Sequence, residues 1–267
     1  MNTGAQRLAT GLIGAPIVLV AAWFGGWPFA LVVCIAAVVA QYELYTLAGL
    51  QRYAFPTTAG LLSGVAIVVR AHVGASLDFL PAVAIVVLVG SIINLHGRGN
   101  ALVQGGIALA GVMYPTAMLS LLAVIRASEA APGVGREITL LTIIGVWAAD
   151  TVAYYFGRRF GRRSLSRASP GKTWEGFAGG VVGAVAVVAG LSAWIGPLGP
   201  FDTLFVGIAC GVVGPVGDVA ESALKRSVEA KDSGVLLPGH GGLLDRIDAL
   251  VVVSPLVYGW AILTGTL

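Results

Sequence analysis

Charge is what this chain has least of. Only 11% of its 267 residues are Asp, Glu, Lys or Arg, while 57% are hydrophobic and mean hydropathy is +0.89. A soluble domain carries about 25% charged residues, so the ionic side chains here cannot cover a water-facing surface. A soluble globular protein is thereby excluded. Cysteine is scarce as well: Cys34 and Cys210 lie far apart within apolar runs. That leaves no basis for a disulfide framework or a cysteine-ligated zinc site. No internal repeat is present, which weighs against a transporter built from two related halves. The opening MNTGAQRLATG lacks a short apolar core followed by a small-residue cleavage site. It is read as the lead into a first span and not as a removed signal.

What the chain has instead is long apolar runs, broken by glycine, proline and charge. A membrane-spanning helix needs about 20 mostly apolar residues. The runs predict nine such helices, at about 7–24, 28–48, 56–73, 79–96, 101–125, 138–156, 175–195, 202–224 and 246–265. Strands of a membrane barrel would alternate apolar and polar residues, and these runs do not. The expectation is an all-α polytopic bundle forming one transmembrane domain over 1–267, with N-terminal spans in 1–137 and the polar chemistry in 138–267. The 38 glycines suit close helix packing.

The basic residues test the topology. With nine spans, one side carries Arg7, Arg52, Arg98, the five arginines between 158 and 167, Lys172, Lys225, Arg226, Lys231 and Arg246. The other side carries only Arg70, Arg126 and Arg136. Thirteen of the 16 basic residues on one side is the asymmetry that the positive-inside rule predicts for a cytoplasmic face. The N-terminus is then cytoplasmic, in a plasma membrane of bacterial type.

Two segments on that face are far more polar than a connector requires. They are GRRFGRRSLSRASPGKTWEG, residues 157–176, and GDVAESALKRSVEAKDSGVLLPGHGGLLDRID, residues 217–248. In the second, Asp245 and Asp248 are three apart, so they share one face of a helix that begins near Leu243. Capping, favoured by the helix dipole, accounts for one carboxylate. The second, with Asp218 at bilayer depth, points to a cation site, because an intramembrane charge costs about 3 kcal/mol without a partner or a wet cavity. Asp150 has the same character and stands open between ligation and a structural hydrogen bond. An all-oxygen donor set with few carboxylates suits Mg²⁺, which keeps waters and binds substrate phosphates.

The cations around these carboxylates divide into two groups. Much of the RRFGRR cluster is expected to attract anionic lipid headgroups. Ser169, Gly171, Lys172 and Thr173 offer small side chains, backbone N–H groups and one ammonium, a set that can cradle a phosphate. This is not a Walker A loop, since Ser166 stands where its first glycine belongs. His240-Gly241-Gly242 either allows close approach to a ligand or is a glycine-rich turn into a helix. Residue chemistry thus gives a site for a Mg-bound polyphosphate and an anionic membrane substrate, and leaves the reaction open.

A resemblance narrows it. Ser222, Lys225, Arg226, Lys231, Asp232, His240, Gly241, Gly242, Asp245, Arg246 and Asp248 match, without departure, the signature of the phosphatidate cytidylyltransferases (CDP-diacylglycerol synthases). The block from Asp150 through Ser169-Pro170-Gly171-Lys172-Thr173-Trp174-Glu175-Gly176, and Glu43 in QYELY, also resemble this family. The first 140 residues otherwise resemble it only in hydropathy.

The resemblance implies transfer of a cytidylyl group from CTP to phosphatidate, releasing pyrophosphate, with Mg²⁺ held by Asp218, Asp245 and Asp248. Lys225, Arg226, Lys172 and Arg246 would neutralise phosphates, while Ser169, Thr173, Ser222 and Lys231 would bind substrate. His240, Gly241 and Gly242 would line the nucleotide or pyrophosphate pocket. It further implies a homodimer, with membrane lipid as partner and no nucleic acid; whether a monovalent cation is a second ion at the site stays open. Three alternatives are weaker. An ion path does not explain two adjacent polar loops. A CTP-dependent lipid kinase would not need the full signature. The CDP-alcohol phosphotransferase pattern requires an Asp-Gly start that is missing here.

Overall fold

The structure is a computed structural model. It describes residues 3–74, 78–95, 100–128, 132–166, 169–196, 198–234 and 241–267, with side chains from residue 11 onward. The regular structure is helical: α1 Thr3–Phe24, α2 Gly26–Leu47, α3 Ala54–His72, α4 Leu80–Asn94, α5 Ala101–Gly111, α6 Met118–Ala127, α7 Val134–Phe160, α8 Trp174–Ile195, α9 Pro200–Ile208, α10 Gly214–Ser227 and α11 Leu244–Leu263. A π-helical segment, Val112–Ala117, joins α5 to α6, and a second, Ala209–Val213, joins α9 to α10. Pro115 lies inside the first and Pro215 two residues past the end of the second. Proline lacks the N–H that a regular helix needs, so each long helix is interrupted where its ladder cannot run on.

Seven helical stretches among the described residues are long and apolar enough to cross a membrane. Two shorter apolar helices, Gly11–Phe24 and Leu80–Asn94, accompany them. Large apolar side chains point outward along these helices, with Leu62 70% and Val182 69% exposed. Continuous apolar exposure of this kind suits lipid and would aggregate in water. The molecule is an all-α integral membrane protein.

The chain folds as two compact units, one of Met1–Ala127 with Asp232–Ile247 and one of Ser128–Lys231 with Asp248–Leu267. The first unit packs Tyr45, Leu50, Ile67, Val87, Ala108 and Val112 into a fully buried cluster. A polar chain runs through it. Thr116 Oγ1 donates to Gln41 Oε1 (2.9 Å), Gln41 Nε2 donates to Tyr45 OH (2.7 Å), and Tyr45 OH donates to the Ala108 carbonyl (2.7 Å). Every member is partnered, as a polar group shielded from water requires.

The second unit is built on the α7–α8 pair. A Cβ at Gly176 would come within 2.7 Å of the Ala153 carbonyl, and one at Gly180 within 2.9 Å of the Ala149 carbonyl. Glycine at these positions lets the two backbones touch, the small-residue packing that replaces hydrophobic drive inside a bilayer. The same device recurs at Gly217, whose Cβ would lie 2.7 Å from the Asp248 carbonyl. That contact brings α10 against α11 and puts their acidic residues side by side.

Candidate active site

The loop between α7 and α8 is a short hairpin-like turn. Leu165 N–H donates to the Lys172 carbonyl (2.7 Å), Trp174 N–H to the Arg163 carbonyl (3.0 Å), and Lys172 N–H to the Ser169 carbonyl (3.1 Å). Thr173 caps α8, its Oγ1 accepting from Gly176 N–H at 3.1 Å. Glu175 reaches back to accept from the Arg162 and Arg163 amides (3.0 and 3.3 Å). The cap satisfies one of the amides that a helix start leaves orphaned, and the reach-back fastens the backbone just after α7. With the turn fastened at both ends, Lys172 extends from it to pair with Asp218 Oδ2.

Asp218 belongs to a cluster. Its carboxylate and those of Glu221 and Asp248 each offer one oxygen, and these oxygens all lie within 4.8 Å of one another. Asp218 and Glu221 are three apart on α10, hence on one face, and the Gly217 contact supplies Asp248 from α11. Ser222 Oγ donates to Asp218 Oδ1 (3.4 Å), and Lys225 Nζ pairs with Glu221 Oε2 at 2.8 Å. The second pair is nearly closed off, with side-chain exposures of 11% for Lys225 and 1% for Glu221. The negative charges of Asp218, Glu221 and Asp150 all bear on Asp248. Like charges this close repel by several kcal/mol in a medium of low polarity. Three hard oxygen donors gathered against that repulsion fit a divalent cation of the Mg²⁺ type.

In the first unit, Asp245 accepts backbone N–H groups of Ser233 (3.0 Å) and Gly242 (2.9 Å) on Oδ2. Gly241 has φ +81°, the left-handed region that favours glycine. Gly242 is buried with no room for a Cβ, which would fall 2.6 Å from Glu43 Oε2. Arg226 folds back on its own helix end, donating to the Ala230 carbonyl at 3.0 Å. Arg246 and Lys231 are exposed, and Ser169 is half-buried. His240 lies outside the described residues.

The structure therefore gathers Asp218, Asp248, Lys172, Lys225 and Ser222 around one centre, and seats Gly241, Gly242 and Asp245 in the other unit. One residue, Glu221, escaped the sequence reading, and a second, Glu43, was left without a role. Glu221 had a usable signal, its i,i+3 spacing from Asp218. Glu43 was noted only for resemblance, and its contacts lie some 200 residues away along the chain.

Fold and site together define a class: a polytopic helical membrane protein with a carboxylate cluster that could hold a cation and two lysines paired to it. The model of the cytidylyltransferase family matches residues 5–263. The chain belongs to the cytidylyltransferase family and is a nucleotidyltransferase. It is 32% identical over 263 residues to the phosphatidate cytidylyltransferase of Brucella abortus biovar 1 (strain 9-941), covering 97% of this chain and 93% of that protein. It is 30% identical over 262 residues to the phosphatidate cytidylyltransferase of Bacillus subtilis (strain 168), covering 95% and 96%. With the phosphatidate cytidylyltransferase of Synechocystis sp. (strain ATCC 27184 / PCC 6803 / Kazusa), identity is 44% over 131 residues, 48% of this chain and 44% of that one.

Proposed function

We propose that this protein joins CTP to phosphatidate, giving CDP-diacylglycerol and pyrophosphate. The observation that carries the reading is the Asp218–Glu221–Asp248 cluster with Lys172 and Lys225 paired to it, in a chain that belongs to the cytidylyltransferase family. In the reaction an oxygen of the phosphatidate phosphate attacks the α-phosphorus of CTP. A new P–O–P bond forms, the bond to the β-phosphate oxygen breaks, and the electron pair leaves with pyrophosphate. A phosphate monoester is already nucleophilic near neutral pH, so positioning and charge neutralisation suffice.

Asp218, Glu221 and Asp248 would hold Mg²⁺, which when bound neutralises phosphate oxygens and eases departure of the leaving group. Asp245 joins the proposal on the signature that resembles the family's, where it stands three residues before Asp248. Lys172 and Lys225 are held by carboxylates and turn to the substrate's phosphates when CTP arrives. Arg226, Arg246 and Lys231 supply further positive charge, while Ser169, Thr173 and Ser222 offer hydroxyl donors. The family resemblance assigns His240, Gly241 and Gly242 to the nucleotide or pyrophosphate pocket.

The reading places nine spans in a bacterial-type plasma membrane, with the N-terminus and the site cytoplasmic. The basic-residue asymmetry supports this. A homodimer rests on family resemblance alone, and a monovalent second ion stays open. The acyl chains stay in the bilayer, so the lipid enters sideways from the interface.

The test supplies detergent-purified protein with Mg²⁺, phosphatidate and α-labelled CTP. Label passing into the lipid phase with release of pyrophosphate supports the proposal. Labelled CDP without labelled lipid would indicate a kinase, and intact CTP would overturn the reading. Asp245→Asn is expected to reduce lipid labelling by about 10²-fold or more, the usual loss when one preorganised electrostatic group is removed.

A further inference from the structure

Glu43 sits near the C-terminal end of α2, 6% exposed, within a helix that has the length and apolarity of a membrane span. A carboxylate at such depth is costly unless partnered, and the C-terminal end of a helix is electrostatically the wrong end for it. The structure compensates with donors from a distant part of the chain. Glu43 Oε1 accepts from Leu243 N–H at 2.9 Å. Oε2 accepts from Leu244 N–H at 2.8 Å and from Ser233 Oγ at 3.0 Å. Leu244 is the first residue of α11, so Glu43 supplies from another helix the anion that a helix N-terminus favours.

The surroundings are shaped to the same carboxylate. A Cβ at Gly234 would lie 2.6 Å from Glu43 Oε1, and one at Gly242 2.6 Å from Oε2 and 2.7 Å from Gly234 N. Only glycine fits at either place. Ser233, held through its hydroxyl by Glu43, gives its backbone N–H to Asp245. Gly242, packed on Glu43, gives its N–H to the same carboxylate. Asp245 is thus oriented by two groups that Glu43 itself fixes.

We infer that Glu43 is a positioning residue. It pins the two ends of the 233–243 segment and the first turn of α11, and so sets the orientation of Asp245. It does this without touching substrate. The inference rests on the proposed cytidylyl transfer for its kinetic consequence, though not for its structural one.

Glu43→Gln is close in shape but turns an amide nitrogen toward N–H donors, so at least one of the three bonds is lost. Removing such an outer partner of a metal ligand typically costs 10–100-fold in affinity or rate. Three readouts on purified wild type and Glu43→Gln decide the matter: kcat with its half-saturating Mg²⁺, Mn²⁺ affinity by electron paramagnetic resonance, and amide hydrogen exchange over 232–247. The expected result is a half-saturating Mg²⁺ and a Mn²⁺ dissociation constant each raised about 10-fold or more, with faster exchange at Leu243 and Leu244. Half-saturation does not depend on the fraction of active protein, so a merely destabilising role would leave it unmoved.

Unchanged Mg²⁺ half-saturation and Mn²⁺ affinity in folded Glu43→Gln overturn the inference, even with a lowered Tm. Where that variant fails to fold, Ser233→Ala removes one bond only and is expected to weaken Mn²⁺ about fivefold, the worth of one ordinary hydrogen bond. No weakening overturns the inference. Wild type that forms no labelled lipid, with Mn²⁺ binding still weakened in the variant, sinks the proposed reaction and sustains the positioning role. Wild type that binds no Mn²⁺ overturns both.

Discussion

Glu137 and the Asp218–Glu221–Asp248 group are acidic sites in the same unit, and they are built in opposite ways. Glu137 is fully buried near the start of α7. Its Oε1 accepts from Ser192 Oγ (2.7 Å) and its Oε2 from Leu198 N–H (2.9 Å), with Thr203 Oγ1 against Ser192 Oγ at 2.9 Å. These partners are neutral, and together they tie the end of α8 to the turn before α9. The other site sets three carboxylates within 4.8 Å of one another and brings lysines to them. One anion among neutral donors is a fastening. Several anions crowded together with two lysines alongside suit the cation and phosphate roles proposed for them. Burial and acidity alone therefore do not mark a functional carboxylate; the charge of its neighbours does.

The largest effect that would sharpen this contrast is expected from Asp248→Asn. Replacing one member of the cluster should lower lipid labelling by about 10²–10³-fold while leaving the thermal midpoint near that of wild type, read by labelled-CTP turnover beside a detergent melting curve. An activity within tenfold of wild type would dissolve the contrast. Lys172→Met comes next. Its ammonium is to be exchanged from Asp218 to a phosphate, so kcat/KM for CTP should drop by about 10²-fold, a loss that steady-state kinetics at several CTP concentrations resolves. The smallest effect on chemistry is expected from Glu137→Ala. It strands the Leu198 N–H and should cost about 1–3 kcal/mol of stability, visible as an earlier melt, with kcat per folded molecule unchanged. A Glu137 variant that melts normally yet loses turnover would place chemistry at the wrong end of the unit.

Much of the helical framework was legible from hydropathy. The expected run 175–195 is α8 at Trp174–Ile195, and 56–73 is α3 at Ala54–His72. The run expected at 101–125 is in fact α5 and α6 joined through a π segment, and 202–224 likewise spans α9 and α10. Hydropathy averages over a window and is blind to a ladder that shifts by one residue around a proline. The candidate site was legible in chemical type, with Asp218, Asp248, Lys172 and Lys225 all named from the two polar loops. Glu221 went unnoticed because its i,i+3 partner was weighed for depth and not for face.

The amino-acid order by itself determined that this chain enters a membrane as helices and where its charges concentrate, because insertion and helix formation depend on residues within about 20 positions of one another. It also carried the family, through polar residues at set spacings in two loops. Only the tertiary structure decided which carboxylates meet. Asp248 reaches Asp218 because Gly217 lets two helix backbones touch, and Glu43 holds the start of α11 across 201 residues of chain. Contacts of that kind depend on close packing in three dimensions, which no local pattern of hydropathy or charge encodes.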